Sequence, residues 1–356
     1  MLLINSKETL KKKIQQKNEF IKKKYEFIQK QKDFIQKQKD FIQKQKLTNK
    51  NIIQKSIFFK DMTFETDVIF DSKIIHLYSS SCSIIKHPTE KKFLLCVRVL
   101  NNVLGPNGNP INNDDVICLS CNKIITLDEK FNIVDNKMLY FDFDYDSKLN
   151  GIEDVRLYVF NNEIYFIGSS FNKYQDKVMI VSNKYNLNDN KFDKIYITPS
   201  FDTNFFWEKN WVFFENNGKL NIIYKWYPIY ICEIDYKTQK LDLVKQIDRI
   251  PEFFNKLRGS TNGVLFDDKI WFITHLQRDV FEKKMYIHVF VVFDKNMNLI
   301  GFSNPFNFEN ALVEYCIGLL INNNNFVMTY STLDCTTKLC VLPGNYVQNL
   351  IIKYNE

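Results

Sequence analysis

The chain has 356 residues, 45% hydrophobic and 25% charged, and a mean hydropathy of −0.28, a globular composition that argues against disorder of the whole chain. The formal charge of +7 is uneven: residues 1–50 hold fifteen lysines and five acidic residues, an excess of +10, which leaves −3 for the remainder. The basic balance thus belongs to the leading segment, and nucleic acid is not the expected partner of the body.

That leading segment repeats every seven residues from Ile14 to Ile42, with Glu19, Glu26, Asp33 and Asp40 each followed by a Phe-Ile pair. Acid precedes base by four residues at Glu26/Lys30, Asp33/Lys37 and Asp40/Lys44, the favourable order on a helix. Adjacent apolar residues do not make a coiled-coil seam. The expectation for 1–50 is therefore a low-complexity extension, helical or disordered. The alternatives are weak self-association or contact with an anionic membrane surface. Removal of residues 1–46 is expected to leave the body folded.

From about residue 51 the apolar spacing changes from seven to two. Lead hairpins are expected to turn near Thr89, Asn161, Asn216, Asp267 and Asn323, the last four separated by 55, 51 and 56 residues. A second series falls between them, at Asp128-Glu129-Lys130, Asn183-Lys184-Tyr185, Asp235-Tyr236-Lys237, Asp294-Lys295-Asn296 and Pro343-Gly344-Asn345. Each unit of roughly 50 residues then holds four antiparallel strands, the pattern of propeller blades. The expected fold is all-β: a five-bladed β-propeller over residues 51–356. Residues 51–80, including Ile52 to Phe59 and Val68 to Tyr78, are expected to supply a strand that closes the last blade.

The eight cysteines (Cys82, Cys96, Cys118, Cys121, Cys232, Cys316, Cys335 and Cys340) follow a start without the apolar core of a signal peptide. They are read as reduced, in a soluble, cytoplasmic protein. Cys118 and Cys121 form a CxxC, but no second ligand pair completes a zinc site. No metal and no cofactor is expected. No apolar run approaches the roughly 18 residues of a membrane helix. Asparagine is abundant while Gly is 10 and Pro 8. That bias fits an AT-rich coding sequence, so part of the asparagine content is expected to carry no structural signal.

The stretch Gly151 to Ser170, GIEDVRLYVFNNEIYFIGSS, places Glu153, Asp154 and Arg156 at the start of a hairpin pattern. Carboxylates there are costly to bury unless paired, so the group lines a cavity or forms a structural ion pair. In a hairpin, the start of the first strand and the end of the second share an edge. By that rule one propeller face collects Ser81 and Ser83, Glu153, Asp154 and Arg156, Lys209 and Asn210, Arg258, Ser260 and Thr261, and Glu314 and Tyr315. The strand ends add Arg98 and Asn101, Ser169 and Ser170, Lys225 and Trp226, His275, and Asp334. Basic, acidic and hydroxyl groups with Trp211 and Trp226 nearby suit a sugar or sugar phosphate. Any single member, taken alone, fits a strand-end ion pair or cap.

Over residues 80–342 the chain resembles the five-bladed propellers of the mannoside phosphorylases and their β-mannosyltransferase relatives. GIEDVR resembles that family's G-x-E-D-P-R motif, with Val155 in place of proline. EKNWVFFENNGKLNIIYKWYPI (Glu208 to Ile229) resembles its third blade, RGSTNGVLFDDKIWFITH (Arg258 to His275) its fourth, and EYCIGLL with STLD its fifth. The resemblance implies that Asp154 is the general acid, protonating the glycosidic oxygen directly or through a sugar hydroxyl. It also implies that phosphate attacks the anomeric carbon with inversion, held by basic residues. Arg156, Lys209, His275 and Tyr286 are the candidates for that role, with Lys225 and Arg258 as further contributors. A glycosyltransferase using a nucleotide sugar and a glycan acceptor fits the same residues. The competing class is a non-catalytic glycan-binding propeller.

Overall fold

A hairpin turn of two residues matches the strand twist when both central residues take left-handed φ, a conformation that Asn, Asp and Gly enter at least cost. The pairs Asp71-Ser72, Asn161-Asn162, Asn217-Gly218, Asp267-Asp268 and Asn323-Asn324 all do so, with φ between 47° and 70°. Each joins two antiparallel strands. The computed structural model of the chain describes residues 51–105, 110, 117–140, 147, 149–203, 206–280 and 283–354. The chain divides into two units, Met1–Lys50 and Asn51–Glu356. The heptad segment lies outside the described residues.

After β1 (Phe58–Asp61), the first blade runs through β2 (Glu65–Phe70), β3 (Lys73–Lys86), β4 (Phe93–Leu100), β5 (Cys118–Leu127) and β6 (Ile133–Met138), with β7 (Leu149–Gly151) beside the start of β5. The second blade contains β8 (Glu153–Phe160), β9 (Glu163–Asn172), β10 (Lys177–Tyr185) and β11 (Ile195–Pro199). The third contains β12 (Val212–Asn216), β13 (Lys219–Trp226), β14 (Ile229–Asp235) and β15 (Lys240–Ile247). In the fourth, β16 (Leu257–Gly259) and β17 (Val264–Phe266) both pair with β18 (Lys269–Val280), followed by β19 (Lys283–Asp294) and β20 (Leu299–Ser303). The fifth contains β21 (Glu314–Asn322), β22 (Asn325–Thr332) and β23 (Lys338–Pro343).

The leading strands β3, β8, β12, β17 and β21 touch one another in that cyclic order, β21 closing on β3. This ring is a five-bladed propeller. Because each blade is covered on both faces, its inner strands read as nearly continuous apolar runs. One buried layer separates each pair of neighbours, for example Leu94, Leu157 and Phe166 between the first and second blades and Trp271, Phe290 and Phe326 between the fourth and fifth. The outermost β6 and β15 are largely exposed.

Closure comes from β1, which pairs antiparallel with β23 as the fourth strand of the last blade. The other expected closing segment, Val68 to Tyr78, does not reach that blade. Its Asp71-Ser72 turn folds it into a hairpin on the first blade. Two turns of the second series also differ from expectation. Asn183-Lys184-Tyr185 lies within β10, because Tyr185 is buried against Phe192 and prolongs the strand. Pro343-Gly344-Asn345 opens a short helix, Gly344–Gln348, rather than a hairpin. The place beside β23 is already filled by β1, so the chain passes on to β24 (Ile351–Lys353), which pairs with β20 of the fourth blade. Among the described residues no helix is long and apolar enough to cross a membrane.

Candidate active site

The GIEDVR segment departs from regular strand geometry at its acidic pair. Glu153 pairs with Ser169 but Arg156 with Ile167, so β8 carries one extra residue, and Asp154 takes φ 53° within the bulge. A bulge re-aims side chains that strict alternation would send to opposite faces. Two glycines make room for it. Gly151 has φ 97°, and a Cβ there would lie 1.8 Å from the Ser120 carbonyl oxygen; one on Gly168 would lie 2.9 Å from the Glu153 carbonyl oxygen. Val155, in the motif's proline position, is buried at 1% exposure in the layer between the first two blades.

Asp154 opens into a cavity of about 330 Å³ to which all five blades contribute. Arg98 comes from β4, Glu153 and Asp154 from β8, and Lys209 and Asn210 from the segment before β12. Arg258 comes from β16, His275 from β18, Tyr286 from β19, Tyr315 from β21, and Asp334 from the turn after β22. Trp207, Asn102, Leu100, Leu104 and Val313 complete the wall. Asp154, Asn210 and Asp334 all have left-handed φ. Such conformations cluster where side chains must be aimed at a site.

Arg98 organises the acidic side. Its Nη1 donates to Asp154 Oδ1 at 3.1 Å, its Nη2 meets Glu153 Oε1 at 3.2 Å, and its Nε donates to Ser120 Oγ at 2.6 Å. Ser81 Oγ donates to the same Asp154 oxygen at 3.2 Å. Burial opposes the charge on Arg98, but Glu153, Asp154 and Asp334 outweigh it and hold the guanidinium protonated. Burial also pushes the Glu153 carboxyl up. Lys209, whose Nζ is 3.0 Å from Oε2, and Arg98 more than offset that and hold it down at about 2. Asp334 is pushed up by burial and by Asp154 and Glu153, against the pull of Arg98.

The Glu153 pairing predicts a pH effect. A carboxyl depressed from 4.5 to about 2 contributes stability that is present above about 4.5 and is lost as pH falls through about 2. Chemical denaturation between pH 5 and 2 is expected to give a flatter stability profile for Glu153→Gln than for the parent. Identical slopes would mean that the ion pair adds nothing to folding.

The opposite wall is basic and aromatic. His275 is 2% exposed and shares a hydrogen bond of 2.8 Å between Nδ1 and Ser260 Oγ. It stacks on Tyr286 at 5.2 Å and meets Tyr315 edge-on at 5.1 Å. Burial, with His288, Arg258 and Arg156 nearby, holds its imidazole well below the ordinary range, so it is neutral at pH 7. The exposed Arg258 donates to Gln277 Oε1 at 2.7 Å. Lys209 Nζ lies 4.8 Å from the centre of the Trp207 ring.

Three expected site residues are placed elsewhere. Arg156, 2% exposed, lies beneath the cavity, donating to the Ser260 carbonyl, the Asp154 carbonyl and Tyr315 Oη at 2.5, 2.8 and 2.8 Å. Its guanidinium ties the second, fourth and fifth blades together below the wall. Lys225 sits over Tyr230 of β14, 3.7 Å from the ring centre, beside the register shift between Ile223 and Lys225. Glu314 is fully buried and accepts backbone N–H bonds from Phe308, Glu309 and Ala311. Burial pushes its carboxyl up to about 7 despite those donors. The next residue, Tyr315, faces the cavity instead, and its Oη donates to Asn210 Oδ1 at 3.0 Å.

Trp211 and Trp226, expected near a ligand, are core residues at 1% and 3% exposure. The tryptophan on the cavity wall is Trp207, 47% exposed. Sequence reasoning passed over it and Asn102; the signal for Trp207 was the Phe206-Trp207 pair just before the charged Glu208-Lys209. Asn101 stays out of the cavity because its amide bridges β4 to Ile117 and Leu119. No disulfide joins any of the eight cysteines. Among the described residues no group of three or more His, Cys, Asp or Glu side chains is arranged to hold a metal ion.

No protein-family model matches the sequence. A comparison with curated protein sequences also finds no match. Solved structures do match in fold. A β-1,2-mannobiose phosphorylase from Listeria innocua in complex with β-1,2-mannobiose is 14% identical, with a TM-score of 0.56 over 82% of this chain and 99% of that one. A putative glycoside hydrolase from Parabacteroides distasonis is 14% identical, with a TM-score of 0.55 over 78% and 91% of the two chains. A glycosyl hydrolase from Bacteroides ovatus is 13% identical, with a TM-score of 0.56 over 79% and 89%. At such identity the likeness is one of fold.

Proposed function

We propose that the chain is a carbohydrate-active enzyme that transfers a glycosyl unit of mannosyl type, with phosphate or an activated sugar as the anionic reactant. The observation that carries the reading is one cavity holding a positioned carboxyl group, Asp154, and a wall with Lys209, Arg258, His275 and Tyr286. Similarity in fold to a mannobiose phosphorylase supports the choice of sugar.

In this mechanism Asp154 delivers a proton to the glycosidic oxygen as the bond to the anomeric carbon breaks. Both protein contacts to its side chain fall on Oδ1, so Oδ2 is the oxygen that meets the sugar. Phosphate attacks from the other face, which inverts the anomeric centre and needs no protein base. Lys209 and Arg258 supply positive charge for it, and neutral His275 and Tyr286 supply hydrogen bonds. Arg156 acts from below by fixing Tyr315 and the Asp154 backbone. Glu153 is a poor base, since Arg98 and Lys209 hold it ionised down to about pH 2. That disfavours hydrolysis by an activated water relative to phosphorolysis.

The test is a screen of full-length protein with β-mannosides and inorganic phosphate, and in reverse with sugar 1-phosphates and nucleotide sugars over oligosaccharide acceptors. Release or consumption of sugar phosphate is followed by phosphorus NMR. Glycan binding by calorimetry without turnover of any donor would establish the non-catalytic glycan-binding propeller instead.

A further inference from the structure

One large apolar surface on the cavity wall is left in water. Trp207 lines the cavity yet is 47% exposed, and the neighbouring Phe206 is 57% exposed, with the two ring centres 6.4 Å apart. Phe206 lies beside the cavity wall rather than in it, so the exposed aromatic surface extends past the cavity lining. The segment that carries the rings is anchored. Trp207 bridges to Val178, and the Glu208 N–H donates to the Val178 carbonyl at 3.0 Å. The buried Glu208 carboxylate accepts from Trp211 Nε1 at 3.3 Å and Tyr224 Oη at 3.2 Å. Two adjacent aromatic residues are thus held in solvent by a buried carboxylate, at the rim of a polar cavity. Exposed aromatic surface beside a cavity marks a binding surface.

Resting on the glycosyl-transfer reading, we infer that Phe206 and Trp207 form an acceptor shelf, and that the sugar substrate is an oligosaccharide longer than a disaccharide. A pyranose offers one face of C–H groups and a rim of hydroxyls. The C–H face covers an aromatic ring, while the hydroxyls reach polar neighbours. Lys209 Nζ, 4.8 Å from the Trp207 ring centre and 3.0 Å from Glu153 Oε2, supplies such a neighbour on the side of the acid. A sugar on Trp207 therefore lies next to the carboxylate pair, and the following sugar of the chain meets Phe206.

The experiment is calorimetry of parent, Trp207→Ala, Trp207→Phe and Phe206→Ala with three probes: β-1,2-mannobiose, the corresponding trisaccharide, and inorganic phosphate. The parent is expected to bind the trisaccharide more tightly than the disaccharide. Trp207→Ala is expected to weaken both sugars by roughly 10- to 100-fold, the scale of uncovering a large apolar side chain. Trp207→Phe retains most of the affinity, Phe206→Ala removes only the trisaccharide advantage, and phosphate binding is unchanged throughout. A parent that binds both sugars alongside a Trp207→Ala that binds them equally well overturns the shelf alone. A parent that binds neither sugar overturns the shelf as proposed, and the glycosyl-transfer reading falls with it only if the donor screen also finds no turnover.

Discussion

Asp154→Asn is expected to lower turnover by roughly 10²- to 10⁴-fold, the usual contribution of positioned acid catalysis, with little change in thermal midpoint or in affinity for the sugar. The substitution is close to isosteric. An asparagine Oδ1 still accepts from Ser81 and Arg98, which contact that single oxygen at 3.2 and 3.1 Å. Asparagine also tolerates the left-handed φ of 53° at this position as readily as aspartate does. The amide cannot give up a proton to a leaving oxygen, so kcat falls while binding is retained. Parent-like kcat in a correctly folded Asp154→Asn would remove this residue as the acid.

The framework of the propeller was legible because hairpin turns are local. Asn161-Asn162, Asp267-Asp268 and Asn323-Asn324 announce two-residue turns by composition alone, and all take the left-handed conformation such turns require. The asparagine content attributed to coding bias is therefore, at these turns, structural. Closure was less legible, since the partner of β23 is decided by which segment reaches the last blade's edge. The assignment of Phe58–Asp61 to that edge depends on pairings between residues about 280 positions apart in sequence, whereas Val68 to Tyr78 is held in the first blade by its own local hairpin.

The site was legible to the level of the strand edge and no further. Offsets from the turns identify which residues lie at one propeller face, but adjacent residues on a strand point to opposite sides. Tyr315 thus faces the cavity while Glu314 anchors the loop 308–311. Register shifts add to the ambiguity. The bulge between Glu153 and Arg156 keeps both acidic residues at the cavity and sends Arg156 beneath it, an outcome no alternation rule predicts. Burial misled the tryptophan assignment for a similar reason. Trp211, just before β12, and Trp226, at the end of β13, face interblade layers, whereas Trp207, four residues before Trp211, stays on the cavity wall on a segment tied down through Glu208.

Arg98→Met is expected to cost about 3 to 5 kcal/mol of stability, the range for removing one partner of a buried charge group, and to abolish turnover in whatever protein remains folded. Arg98 faces Glu153 and Asp154 directly, with side-chain exposures of 13% for the arginine and 25% and 14% for the two acids. Asp334 adds a third carboxyl group within its field. Without the guanidinium, Lys209 is left to hold Glu153, and Asp154 and Asp334 face each other's charge uncompensated. For a domain of this size the loss corresponds to a fall in melting midpoint of roughly 5 to 8 °C. Its pH dependence separates an electrostatic cause from lost packing. Unpaired negative charge is costly only while the carboxyl groups are ionised, so the destabilisation is full at neutral pH and shrinks as pH falls through the carboxylate range. Methionine fills much of the volume of the arginine stem, and adding Asp334→Asn to Arg98→Met is expected to restore part of the stability by removing one repelling charge. A deficit of equal size at pH 4 and pH 7, unchanged by Asp334→Asn, would assign the role of Arg98 to packing against Ser120 and its strand, and the acidic cluster would then need another source of positive charge.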